Sequence, residues 1–207
     1  MQFKDIITDP AQFRQLIGEP PPPCVAKTIA RLDRHCRAFI AKSPFLLIAS
    51  SNARGQMDIS PKGDPPGFVR VLDDLMLAIP DRPGNRRADT YTNVLENPRV
   101  GIIFLVPGKS ETLRVSGRAT IVRDSDLRES MAVHGKTPDF ALAVEVQEAF
   151  FHCSKCIIRS SLWKPQEWPA LEGLPILAQT MVDGGELPMP VEELDVIIRQ
   201  DEKERLY

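Results

Sequence analysis

Cysteine is scarce: the 207 residues hold four (Cys24, Cys36, Cys153 and Cys156), too few for a disulfide framework in a chain this long. Long apolar runs are missing as well. "FLLIA" and "VGIIFLVP" are strand-sized and far short of a membrane span. "MQFKDIITDP" has neither the basic start nor the apolar stretch of a secretory signal, so the expected compartment is a reducing cytoplasm, with no membrane partner. No excess of one charge exists either: 26 basic and 28 acidic residues leave a net charge of −2. With no global basic field and no basic residues interleaved with aromatics, a nucleic-acid partner is not expected. No Gly-x-Ser-x-Gly, Walker-type or dinucleotide-binding signature occurs. What remains is an ordinary globular composition, 43% hydrophobic and 26% charged, long enough to bury a core.

Strand patterns dominate what is there. "FLLIASS" reads as a buried strand and "MDIS" as its neighbour after the turn "NARGQ". "FVRV" and "LMLAIP" flank the turn "LDD", and "RVGIIFLV" is joined to "ETLRVSGRATIV" at "PGKS". In the latter, Leu113, Val115, Ala119 and Ile121 alternate with Thr112, Arg114, Ser116, Arg118 and Thr120, giving one apolar and one polar face. "ALAVEVQEAFFHC" completes seven strand segments. Helices are predicted at "DPAQFRQLIG", from Val25 to about Ala41, at "RRADTYTNVLENP", at "DSDLRESMA" capped by Asp124 or Ser125, and at "PVEELDVIIRQDEKERL". Successive strands with short turns and peripheral helices predict an antiparallel barrel in one α+β domain spanning 1–207. A helical extension (1–42) precedes it and a helical tail (164–207) follows.

Three places invite chemistry. In "PDRPGNRRADT" (80–90), Arg86 and Arg87 are expected in the first turn of a helix, behind Arg82 and capped by Asn85. Cations at that positive end are disfavoured by about 0.3–1 kcal/mol each, so an anion is the missing partner. The competing reading is a solvated basic turn balanced by Asp81 and Asp89. "SPKG" leaves a strand and puts Lys62 at its mouth, as a second anion ligand or as a plain strand-end lysine. "HCSKC" offers Cys153 and Cys156, but the other cysteines do not complete a paired zinc set and no βαβ context supports a redox motif. No metal site is expected.

Together, residues 58–119 and 151–163 resemble the FMN-binding split-barrel family related to pyridoxamine 5′-phosphate oxidase, through "SPKG", "IPDRPGNRR" and "ETLRVSGRA" in this order. The resemblance implies a six-stranded antiparallel split barrel and a homodimer with FMN at the subunit interface. It implies that Ser60, Pro61 and Lys62 lie beside the flavin or its phosphate, and that Arg82, Asn85, Arg86 and Arg87 grip the phosphate. Thr112 and Arg114 would border the ring from the same or the partner subunit, with Arg114 the charge beside its pyrimidine edge. Lys155, Arg159 or Trp163 would lie near the cofactor. The implied activity is a flavin-dependent oxidoreductase acting on a small-molecule substrate or electron donor of unassigned identity. Two alternatives stand beside it: a non-catalytic flavin carrier or redox sensor using Cys153 and Cys156, and a barrel using haem, through His152, or a deazaflavin. The tail from Pro175 onward does not resemble the substrate-binding segment of true pyridoxamine phosphate oxidases, so the resemblance favours flavin binding over vitamin B6 oxidation.

Overall fold

Alternation of apolar and polar side chains is clearest from Thr112 onward, and the computed structural model, which describes residues 2–207, has one of its two longest strands there. In chain order the strands are β1 (Phe45–Ser51), β2 (Met57–Gly63), β3 (Arg70–Val71), β4 (Met76–Pro80), β5 (Arg99–Leu105), β6 (Thr112–Val122) and β7 (Ala141–His152). The helices are α1 (Pro10–Ile17), α2 (Pro22–Ala26), α3 (Arg34–Ile40), α4 (Asp89–Glu96), α5 (Ser125–Ser130), α6 (Lys155–Arg159), α7 (Leu177–Gly185) and α8 (Val191–Glu204). No helix among the described residues is long and apolar enough to cross a membrane.

All seven strand segments read from the residues are present, and every pairing is antiparallel. The order is β2-β1-β5-β6-β7-β4-β3, so the six-stranded split barrel that the resemblance implies is corrected in its strand number: seven strands form one antiparallel sheet that is not closed, its end strands β2 and β3 not pairing with each other. The extra member is the two-residue β3: Phe68 and Val69 of "FVRV" enter the core before the ladder begins. The core fills the inner face with Leu46, Ile48, Ile102, Phe104, Leu113 and Val115, all nearly fully buried. Burying each such side chain contributes about 1.5–3 kcal/mol.

The helix expected from Val25 to Ala41 is instead two short helices, and Val25 is exposed. Between them Ile29 exchanges backbone hydrogen bonds with Ala149, at 3.0 and 2.7 Å, on a part of β7 that β4 does not reach. Asp33 then starts α3, its carboxylate accepting the N–H groups of His35 and Cys36 at 2.9 Å. Leu32, Cys36, Phe39 and Ile40 join the core, so the last part of the expected extension belongs to the main body. α5 forms without the expected side-chain cap, and Met131, just beyond it, is buried. Lys62, expected at the mouth of a strand, lies within it, because Pro61–Gly63 finish β2.

The β6–β7 ladder shifts register between Ser116 and Gly117. A Cβ at residue 117 would lie 2.0 Å from the Glu145 carbonyl oxygen, so only glycine fits this crossing. Gly117→Ala is therefore expected to lower unfolding stability by about 1–3 kcal/mol, the ordinary cost of forcing an atom into packed surroundings. Urea denaturation measures it, and an unchanged midpoint would show that the bulge yields freely.

Candidate functional site

The period of two along β2 sets out the site. Asp58, Ser60 and Lys62 share the inner face and are half-buried, whereas Met57, Ile59 and Pro61 point outward and are exposed. Across the ladder Lys62 pairs with Leu46, Ser60 with Ile48 and Asp58 with Ser50, all buried. Because β2 is an edge strand, its inner face is open on one side. There it meets α4 and the loop from Asp81 to Ala88, forming a cleft of about 510 Å³, within the usual range for small-molecule sites.

α4 is fastened over this edge by polar side chains. Thr90 donates to Asp58 Oδ2 (3.0 Å), Asn93 to Ser50 Oγ (3.0 Å) and Asn97 to Ser51 Oγ (2.8 Å). Its start differs from expectation. Arg86 and Arg87 precede the helix, Ala88 stands at the cap position with φ of 57°, and Asp89 holds the first turn. An acidic residue there agrees with the helix dipole, so cations do not oppose it. Asn85 does not cap α4; its side-chain oxygen accepts the Arg87 N–H at 3.0 Å within the loop. Arg86 also has a left-handed backbone, φ 60°. Two such residues without glycine cost about 1–2 kcal/mol each, and strain of this kind gathers where loops serve a site.

The cations in the cleft differ in freedom. Lys62 donates to Ser60 Oγ at 3.2 Å and lies 5.4 Å from the Tyr91 ring centre. Burial pushes its pKa below the ordinary lysine value, while the carboxylates of Asp81 and Asp58 pull it back up. Asp81 accepts the Tyr91 hydroxyl at 2.8 Å. Burial raises its pKa, against the Tyr91 hydrogen bond and Lys62, and burial likewise pushes the Tyr91 phenol up. Arg87 pairs with Asp89 at 2.8 Å but is 72% exposed, so the pair is easily re-formed with another anion. The Arg86 side chain has no hydrogen-bond acceptor among the described residues. Arg82 is committed elsewhere: it donates to Asp64 Oδ2 (2.6 Å) and to the Met131 carbonyl (2.9 Å).

Of the residues singled out in the sequence, Ser60, Pro61, Lys62, Arg82, Asn85, Arg86 and Arg87 all line this cleft. The others do not. Arg114 pairs with Ile103 and Phe150 on the outer face of the sheet, opposite to Lys62, so one copy of the chain does not bring the two together. Thr112 is buried beside His152. Lys155 and Arg159 sit exposed on α6, and Trp163 donates its indole N–H to the Lys109 carbonyl at 2.8 Å. His152, whose pKa is lowered by burial and by Lys27 and Arg114, closes β7; Cys153 and Cys156 follow it, exposed and unpaired. Asp58, Thr90 and Tyr91 were not foreseen, and Asp81 was expected only as a counter-charge to the basic turn. The period of two alone places Asp58 with Ser60 and Lys62, whereas Tyr91 needed the position of α4.

Residues 32–153 match the family described as pyridoxamine 5′-phosphate oxidase. No curated protein matches the chain. Among solved structures, HupZ of Group A Streptococcus is 19% identical with a TM-score of 0.46, covering 57% of this chain and 92% of its own. A pyridoxamine 5′-phosphate oxidase candidate from Lactobacillus delbrueckii is 20% identical, TM-score 0.47, covering 59% and 95%. An FMN-binding protein from Syntrophomonas wolfei is 10% identical, TM-score 0.42, covering 56% and 88%.

An anion in the cleft favours the charged form of Lys62 and must raise its lowered pKa. In a ¹³C-methyl lysine titration, Lys62 is expected to have a midpoint below those of exposed lysines, and saturating inorganic phosphate to move it up. By linkage, phosphate affinity then falls as pH rises through that midpoint. A Lys62 midpoint indifferent to phosphate would remove it from the anion site.

Proposed function

The chain belongs to the pyridoxamine 5′-phosphate oxidase family, and on that premise we propose that it is an FMN-binding flavoprotein, a flavin-dependent oxidoreductase whose phosphate site is the basic cleft. One observation carries the reading. Lys62 from the edge strand and Arg86 and Arg87 from the adjoining loop face one cleft of about 510 Å³, and Arg86 is uncommitted. The donor set suits a phosphate monoester: a desolvated ammonium as a point charge and two guanidinium groups able to bind oxygens in pairs. Asp58 and Asp81 do not spoil it, since Thr90 and Tyr91 donate to them and burial holds Asp81 towards its neutral form.

The rest of the flavin would lie across a homodimer interface. The outer sheet face supports this, because Phe45, Ile59 and Ile103 are exposed there at 39%, 65% and 38%. A second copy would cover that face and bring Thr112 and Arg114 towards the neighbouring cleft, which a single copy cannot do. Bound FMN supplies hydride transfer; the protein supplies binding, orientation and charge. Arg114 is the positive group suited to stabilise the anionic reduced ring. Lys155, Arg159 and Trp163 remain candidates for the cofactor's surroundings only in that dimer.

The purified protein is expected to show flavin absorption bands, or to acquire them on adding FMN, and heat should release FMN. Charge-assisted hydrogen bonds contribute about 1.5–3 kcal/mol each, so Arg86→Ala with Arg87→Ala should raise the FMN Kd at least tenfold while leaving the fold intact by circular dichroism. A protein that takes up no FMN defeats the reading. A double variant that binds FMN like the wild type defeats the phosphate assignment.

A further inference from the structure

Resting on the reading of the cleft as a phosphate site, we propose that Asp64, Arg82 and Tyr207 form a clamp that sets the basic loop, and that Tyr207 is a positioning residue for the anion. Asp64 follows β2 and its side chain is only 1% exposed, yet it is a carboxylate. Such a group is retained inside a protein only with partners for its oxygens. Arg82 Nε donates to Oδ2 at 2.6 Å and the Tyr207 hydroxyl to Oδ1 at 2.8 Å, so each oxygen has one donor. The second branch of Arg82 donates to the Met131 carbonyl.

Tyr207 is held from several sides. Lys136 donates to its carbonyl at 2.5 Å, the His134 ring meets its ring edge-on at 5.4 Å, and the Arg82 guanidinium carbon lies 5.8 Å from the ring centre. These contacts connect the segment beyond α8 to the loop that leaves β4. The loop needs such a fixture, because Pro83 to Ala88 are all exposed. Its side-chain anchors into the body lie at its two ends: Arg82 on Asp64, and Thr90 on Asp58. Arg86 and Arg87 sit between those ends. Moving the Arg82 anchor moves the groups that face the cleft, so the phosphate contribution of Arg86 and Arg87 depends on a hydroxyl far along the chain. Arg82 itself, with its charge spent on Asp64, acts as an anchor and not as an anion ligand. Coupling is reciprocal: FMN in the cleft must in turn stabilise the seating of Tyr207.

Tyr207→Phe removes only the hydroxyl. In the ligand-free protein, amide hydrogen exchange across residues 82–88 should accelerate several-fold while exchange in β5 and β6 stays as in the wild type. The FMN Kd should rise about fivefold, with an unfolding midpoint near the wild-type value. FMN should slow amide exchange around Tyr207 in the wild type and not in the variant. Asp64→Asn, which keeps the shape and loses the charge, should act in the same direction. Unchanged exchange at 82–88 in Tyr207→Phe overturns the clamp. So does a lowered midpoint with an unchanged Kd, the mark of a purely structural tie. If the wild type takes up no FMN, the proposed function falls, and exchange at 82–88 in the ligand-free protein still judges the clamp.

Discussion

One residue of register along β2 governs everything else. Lys62 pairs with buried Leu46, so the strand's even-numbered positions are committed to the inner face and Met57, Ile59 and Pro61 to the outer one. A slip by one residue would turn the lysine out to solvent and put Ile59 on the inner face, because successive side chains in a regular ladder point to opposite faces. The ladder to β1 holds that register over seven pairs from Phe45 to Ser51. The same parity runs on through β5 and β6 and puts Arg114 on the face away from Lys62. The sheet thus keeps two chemistries apart: charge collected beside the buried core at the open edge, and an outer face on which exposed Phe45, Ile59 and Ile103 adjoin Arg114.

The cleft departs from what local stability alone would choose. It holds an ammonium partly stripped of water, a carboxylate pushed towards neutrality by burial, and two left-handed residues that are not glycine. Each departure costs free energy, and together they fall within a few residues of one cavity. Packing elsewhere sustains the arrangement: α4 is tied to β1 and β2 by Asn93, Asn97 and Thr90, and the Arg82–Asp64 pair anchors the loop's other end. Rigid surroundings that hold strained groups are the usual form of a preorganised binding site. An incoming dianion would meet charges already in place.

Strands were legible because their signal is local. β1, β5, β6 and β7 are long enough, and alternate or run apolar clearly enough, that a period of two has little competition. Helices were less so. Apolar residues at steps of three and four from Val25 to Ile40 fit a continuous helix, yet Ile29 found a backbone partner on β7 and Asp33 restarted the helix after it. The start of α4 misled in another way. A left-handed residue at Ala88 moved it past both arginines, and no propensity marks an alanine for that conformation.

The sequence by itself determined the strand set, the absence of a long apolar helix, and the local grouping of basic residues around a Pro-Gly turn, since each follows from composition or from neighbours within a few positions. Only the tertiary structure decided that Lys62 and Arg86 face one cleft while Arg114 stands on the far side of the sheet. It alone decided that Arg82 serves a buried carboxylate, and that Tyr207 reaches back over 143 positions to the same group. These outcomes rest on pairing register and on desolvation. Both depend on which distant segments meet, and nothing in a residue's own neighbourhood encodes that.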